Sequence, residues 1–363
     1  MSASGVTLRE IVDTLQAENL LGDEGTAYLQ NRPERQPWYI RTMVGSGAWL
    51  ASLFLIGFVA SFGLLLDGAH VFIGLLSIVG AIFLRRHSEN DFLVQSALAI
   101  SFAGQGLTAY GFAEMAGFEE FEVFFGMVLI VSSTLFFLFP DRVHRVFMVL
   151  LSTGSLTILL YLREMNALVP LLGPAFTAVL IILHTQLPRL VATRFAALVQ
   201  PLMNGLMLSA FGVVLLSSLY ILPELGLEFQ FYPRPWISTL LLGALFLYVG
   251  TMLWPKVLPP GDSRAYLYIN GLMIVVIACS WAAPGLLLGL IVVMLGAVSG
   301  RKTFAGAGIA FFITFLATYF YGIEVSMLTK SGVLLATGVV VLILRWFILR
   351  FAAMTDTGGA GNV

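Results

Sequence analysis

"FLVQSALAISFAGQGLTAYGFA", residues 92–113, runs for twenty-two positions without a charged side chain, between Asp91 and Glu114. At about 1.5 Å per residue, a helix of that length covers about 33 Å, enough to cross the hydrocarbon core of a bilayer. The run lacks period-2 alternation and exceeds the roughly 9–11 residues of a membrane-crossing strand, so a helix is expected and a closed barrel is not.

Outward from this stretch, the same kind of run recurs. Twelve apolar runs lie at 43–66, 69–84, 92–113, 122–139, 145–162, 168–184, 195–222, 236–254, 265–283, 284–300, 303–322 and 328–349. The chain is 59% hydrophobic and 11% charged, with a mean hydropathy of +0.94. A soluble domain carries about 25% charged residues. So little charge cannot cover a water-exposed surface, and the bilayer is the expected solvent. The fold class is therefore an all-α polytopic membrane protein with about twelve transmembrane helices. The second and tenth runs are short and follow tight turns at Asp67-Gly68 and Ala283-Pro284, so a re-entrant hairpin at one of them is the alternative.

Lysine and arginine set the orientation. With the N-terminus inside, sixteen of the nineteen basic residues fall in inner segments, and only Arg163, Arg234 and Lys330 fall outside. That skew predicts cytoplasmic N- and C-termini. The first forty residues are polar, unlike a cleavable leader, and the first span is expected to act as its own insertion signal.

With sides assigned, one motif recurs. Tyr110 and Glu114, Tyr220 and Glu224, and Phe320 and Glu324 each place an aromatic ring four residues before a glutamate at the outer end of a run. They close the third, seventh and eleventh runs. Short and long outer loops alternate with the same period, which predicts three parallel four-helix repeats at 43–145, 145–255 and 265–350. Small residues spaced by four predict close helix packing at Gly285/Gly289, Gly296/Gly300, Gly47/Ala51, Gly306/Ala310 and Gly332/Ala336.

Three regions follow: an N-terminal cytoplasmic segment at 1–42, a transmembrane domain at 43–350 and a disordered tail at 351–363. "TLRE" at 7–10 reads as a capping box, with Leu8, Ile11, Val12 and Leu15 forming an apolar stripe that Gly22 can end. Docking of that stripe on the inner loops is the expected use.

The N-terminal helix, then "QPWYIRTMVGSGAWLASLFLIGF" (36–58), then "SFAGQGL" (101–107) after a double arginine, resembles a bacterial family of multi-pass inner-membrane proteins described as domain of unknown function 4401. The resemblance covers nearly the whole chain and implies residence in the bacterial inner membrane. It brings no activity with it. A similar uncharacterised family and a small envelope protein are often encoded beside it, which implies an envelope or membrane partner protein.

Soluble-enzyme motifs do not survive scrutiny. "GSGAWL" (45–50) opens a span and lacks the lysine of a phosphate loop. "GDSR" (261–264) has no matching Ser/Lys pair. His70, His87, His144 and His184 lie in separate segments without ligand spacing, so no metal or other cofactor is expected. No nucleic-acid signature is present, and an enzyme is the less favoured class.

No Asp, Glu, Lys or His lies near the middle of any run, which argues against a proton relay. The neutral amides Gln95, Gln105, Gln200, Asn204 and Asn270 form the candidate polar pocket; interhelical hydrogen bonding is their ordinary structural use. Pro201 lies between Gln200 and Asn204 and is expected to kink that helix. Asp67, Glu114, Glu119, Glu120, Glu122, Glu164, Glu224, Glu228 and Glu324 form the candidate outer acidic surface. Two functions fit: a carrier or channel for a neutral or lipidic solute, and a non-catalytic platform that assembles with envelope proteins through the acidic outer loops.

Overall fold

A computed structural model of the chain describes residues 69–88, 90–117, 121–218, 235–257, 263–281 and 283–322, with single positions between 39 and 61 and at 328 and 331. These residues are helical, with no strand among them. The helices are α1 (Ala69–His87), α2 (Asp91–Met115), α3 (Phe121–Leu138), α4 (Arg142–Leu162), α5 (Val169–Thr185), the short α6 (Leu187–Val191), α7 (Ala196–Ser218), α8 (Pro235–Val257), α9 (Ser263–Cys279), α10 (Pro284–Ser299) and α11 (Lys302–Gly322). The expected N-terminal helix, most of the first and last spans, and the tail lie outside the described residues.

Eight of these helices are long and apolar enough to cross a membrane, while α9 and α10 contribute shorter apolar stretches. Caps explain several boundaries. The Asn90 side chain accepts from Phe92 N at 2.9 Å and opens α2. Asp141 Oδ1 accepts from Val143 N and His144 N and opens α4. Gly300 ends α10 with a positive φ of 66°, a conformation that suits glycine.

The bilayer face is visible on α1. Phe72, Leu76, Val79 and Phe83 form an exposed apolar stripe, whereas Gly74, Ile78 and Ala81 are buried on the other side. In water that stripe would be an unfavourable exposure; against lipid tails it is neutral.

Packing is closest in three hairpins: α1 with α2, α3 with α4, and α10 with α11. At α1/α2 a Cβ on Gly104 would sit 2.8 Å from Gly74 O, so only glycine admits that approach. At α10/α11, Gly285, Gly289 and Gly296 all face α11. Gly300 instead caps its helix, and Gly306 faces open space, so two of the expected small-residue pairs act differently from expectation. The spacing shows that two residues share a face but not what that face meets.

The main core gathers α5, α7, α8, α10 and α11 around Leu180, Met203, Leu242, Leu287, Ile291 and Phe315. Phe211 stacks on Phe311 with centroids 4.0 Å apart. Helix α10 is apolar all round and largely enclosed, as expected for a helix surrounded by others. Helix α7 joins this core to a second one, where Leu206 meets Leu135, Phe136, Met148 and Val149.

In each of the three expected repeats the second and third helices pack together: α1/α2, α5/α7 and α10/α11. The fourth helices differ. Helix α3 packs on α2, whereas α8 packs on α5 and α10.

The bundle has two chemically distinct ends. One holds Arg85, Arg86, Arg142, Arg145, Arg189, Arg194, Arg301 and Lys302 and is called the basic end below; among the described residues the other holds Arg163. Each end is cross-linked within itself. Arg85 pairs with Asp141 at the basic end, while His70 pairs with Glu114 and Arg163 with Glu122 at the other.

Candidate functional site

Prolines write a demand for hydrogen bonds into three helices. A proline has no N–H, so the carbonyl four residues before it loses its regular donor. Pro140 deprives Phe136 O, Pro174 deprives Pro170 O, and Pro201 deprives Ala197 O. Each carbonyl is met by a side chain from another helix. Arg145 Nε donates to Phe136 O at 3.2 Å, and Arg145 Nη1 to Ala197 O at 3.5 Å. Ser238 Oγ on α8 donates to Pro170 O at 2.6 Å. Arg145 thus joins α3, α4 and α7, and Ser238 joins α5 to α8.

Two of the amides expected in a pocket are drawn into this basic end. Gln200 Nε2 donates to Asn204 Oδ1 at 2.8 Å, and Arg301 Nη1 donates to Gln200 Oε1. The pair is therefore satisfied from two sides. Gln95 accepts from Trp49 Nε1 at 3.3 Å. Asn270 is half-buried on α9. The hydrogen bonds bring Gln200 and Asn204 together and leave Gln95, Gln105 and Asn270 in other surroundings.

Gln105 is different. Its Nε2 reaches Ser101 O at 3.3 Å, and its buried Oε1 meets no donor among the described residues. Ser101 also contacts His144: its Oγ lies 2.9 Å from Nε2. His144 is fully buried, stacked on Phe139 with centroids 3.9 Å apart and flanked by Phe102 at 5.3 Å. Its Nδ1 has no partner among the described residues. In one tautomer Nδ1 is an unmet donor, in the other an unmet acceptor. Two unfulfilled polar atoms therefore belong to side chains that contact Ser101, between α2 and α4.

Ser101 and His144 lie 43 residues apart, and neither stands out in the sequence as a site residue. The only clue was polarity on otherwise apolar helices. The pair does not make a nucleophilic triad. Asp141, the nearest acid in the chain, binds Arg85 at 3.2 Å and caps α4 through backbone N–H groups, and no carboxylate among the described residues orients the imidazole. No group of three His, Cys, Asp or Glu residues among those described could hold a metal ion.

At the opposite end, the Tyr110–Glu114 motif has a specific partner. Glu114 Oε2 lies 2.7 Å from His70 Nδ1, and the Tyr110 ring meets His70 edge-on at 5.1 Å. Glu122 pairs with Arg163. These two members of the acidic set are engaged within the protein, and Glu164 is exposed with a positive φ of 58°. Asp67, Glu119, Glu120, Glu224, Glu228 and Glu324 lie outside the described residues, as does Tyr220; Phe320 is half-buried on α11.

No curated protein and no solved structure matches the chain. The family model described as domain of unknown function (DUF4401) matches residues 37–351. The match takes in every described helix, Arg145, Arg301 and the Ser101–His144 pair, and the chain belongs to the DUF4401 family.

Proposed function

We propose that this protein is a carrier or channel of the bacterial inner membrane, with cytoplasmic termini, for a small neutral solute that forms hydrogen bonds. The supporting observation is the pair of buried, unmet polar atoms, Gln105 Oε1 and His144 Nδ1, on two side chains that both contact Ser101. Leaving a buried polar atom unmet costs about 1–3 kcal/mol, so a ligand offering a donor and a second polar group there recovers a sizeable free energy. The aromatic walls, Phe102 and Phe139, suit an uncharged occupant. Gln95 lies further toward the basic end of α2 and serves as an entry contact beside Trp49. Gln200 and Asn204 act as structural groups in this reading, because each already binds the other.

Glycerol and urea are suitable probes. In proteoliposomes, stopped-flow light scattering should show faster entry of at least one of them than in protein-free vesicles. Gln105→Leu should remove that advantage while the protein remains folded. Equal rates in loaded and empty vesicles for both probes would end this reading. Stoichiometric co-purification of an envelope protein would then favour the platform alternative, in which the acidic outer residues dock the partner.

A further inference from the structure

Arg145 and Arg301 both reach the same turn of α7. Arg145 reaches Ala197 O from α4, and Arg301, between α10 and α11, reaches the Gln200 side chain. Ala197 and Gln200 are three residues apart, so the two guanidiniums sit on neighbouring faces of one helical turn. Both side chains are half-buried, and neither meets a carboxylate among the described residues. Asp141, the acid beside α4 at this end, is committed to Arg85 and to its cap.

Partial burial lowers the local dielectric and strengthens the attraction of each guanidinium for an anion. Their helical contacts are all to neutral groups: Phe136 O, Ala197 O and the Gln200 amide. Those contacts use two N–H directions of Arg145 and one of Arg301, out of about five on each guanidinium. The remaining donors of each guanidinium are suited to phosphate oxygens. The same end also carries exposed apolar side chains: Phe147 on α4 is 44% exposed and Phe195, just before α7, is 47% exposed. Arg194 lies over the Phe195 ring at 4.9 Å. A free anion would have no use for that surface, whereas a phospholipid would lay its acyl chains along it.

We infer that the Arg145–Arg301 pair at the basic end of α7 is a binding site for the phosphate of an anionic phospholipid. Basic pockets between membrane helices bind such headgroups by charge and hydrogen bonding together. Arg145 directly follows His144 in the chain, but the phosphate site uses the two guanidiniums and does not depend on the transport reading. It also accounts for a charge arrangement that the general inward bias of arginine leaves unexplained: the exposed Arg86 and Arg142 satisfy that bias without convergence.

The test uses the full chain in a mild non-ionic detergent, with melting followed at increasing phosphatidylglycerol, phosphatidylcholine or inorganic phosphate. Phosphatidylglycerol should raise the Tm by several degrees, with phosphatidylcholine and inorganic phosphate giving less than half that rise. Arg301→Gln retains a donor for Gln200 and should lose at least half of the phosphatidylglycerol shift. Arg142→Gln removes an exposed charge at the same end and should retain the shift. If Arg301→Gln does not fold, native mass spectrometry of the unaltered protein decides: phosphatidylglycerol should be retained over phosphatidylcholine. Equal shifts with the two lipids, an equal loss in the two variants, a shift with inorganic phosphate alone, or no preference in the mass spectrum would each overturn the proposal.

Discussion

Pro174 and Ser238 offer a quantitative test of how this bundle is held together. Ser238 is 3% exposed, and its hydroxyl donates at 2.6 Å to the carbonyl that Pro174 leaves without its helical donor. Pro174→Ala would restore that donor, because an N–H would again face Pro170 O. Ser238→Ala should therefore be costly in the unaltered chain and nearly neutral once Pro174→Ala is in place. An unmet buried acceptor costs about 1–3 kcal/mol, while hydrogen bonds measured in bilayers average about 0.6 and reach about 1.7 kcal/mol. Proline removes the usual intrahelical substitute, so a coupling of about 1 kcal/mol is expected between the two changes. Reversible unfolding in mixed micelles, applied to the two single variants and the double variant, measures it. If the two changes add to within about 0.3 kcal/mol, Ser238 does not replace the missing donor, and the account of the proline-bearing helices is wrong.

The same logic predicts that Arg145→Met loses about 2 kcal/mol, since it strips donors from both Phe136 O and Ala197 O. Arg145→Lys should recover less than half, because an ammonium cannot span both carbonyls as a fork does; equilibrium unfolding checks both. Gly104→Ala should cost about 1–3 kcal/mol in thermal or denaturant unfolding, because its Cβ would press on Gly74 O at 2.8 Å. Gly306→Ala, with nothing within 4 Å, should be neutral or stabilise by up to about 1 kcal/mol. In a Cys279→Ser background, a cysteine at Gly117 should react with an impermeant thiol reagent added outside the cell and one at Ser88 should not. The reverse pattern would invert the orientation.

Much of the helix pattern was legible because the bilayer sets a length that composition reveals directly. Residues 92–113 became the interior of α2, with Asn90 as its cap. The charge skew anticipated the segregation of Arg85, Arg145 and Arg301 from Glu114 and Glu122. Partnerships between distant helices were not legible. Nothing local to Ser101 points to His144, and nothing local to Glu114 points to His70, because the α-helical turn repeats over four residues and these pairs span more than forty. Pro201 was read as a kink, but the carbonyls that the prolines free were the missed signal. Pro140 and Pro201 each announce an acceptor four residues earlier, and Arg145 was read as a topological charge when it is also the donor to both. The amides were read as one group on polarity alone, which cannot distinguish the mutually bonded Gln200 and Asn204 from Gln105 with its open oxygen.

The proline-freed carbonyls also set a timetable for synthesis. A membrane chain is inserted from its N-terminus, and each helix must wait for partners that have not yet been made. Phe136 O waits nine residues for Arg145, so the α3–α4 hairpin can seal itself almost as soon as it enters the bilayer. Pro170 O waits 68 residues for Ser238, through the making of α6 and α7. Until α8 arrives, α5 carries an exposed acceptor that lipid cannot satisfy. A ribosome stalled before α8 would leave an insertion intermediate in which Pro170 O still lacks the Ser238 donor that the finished protein supplies.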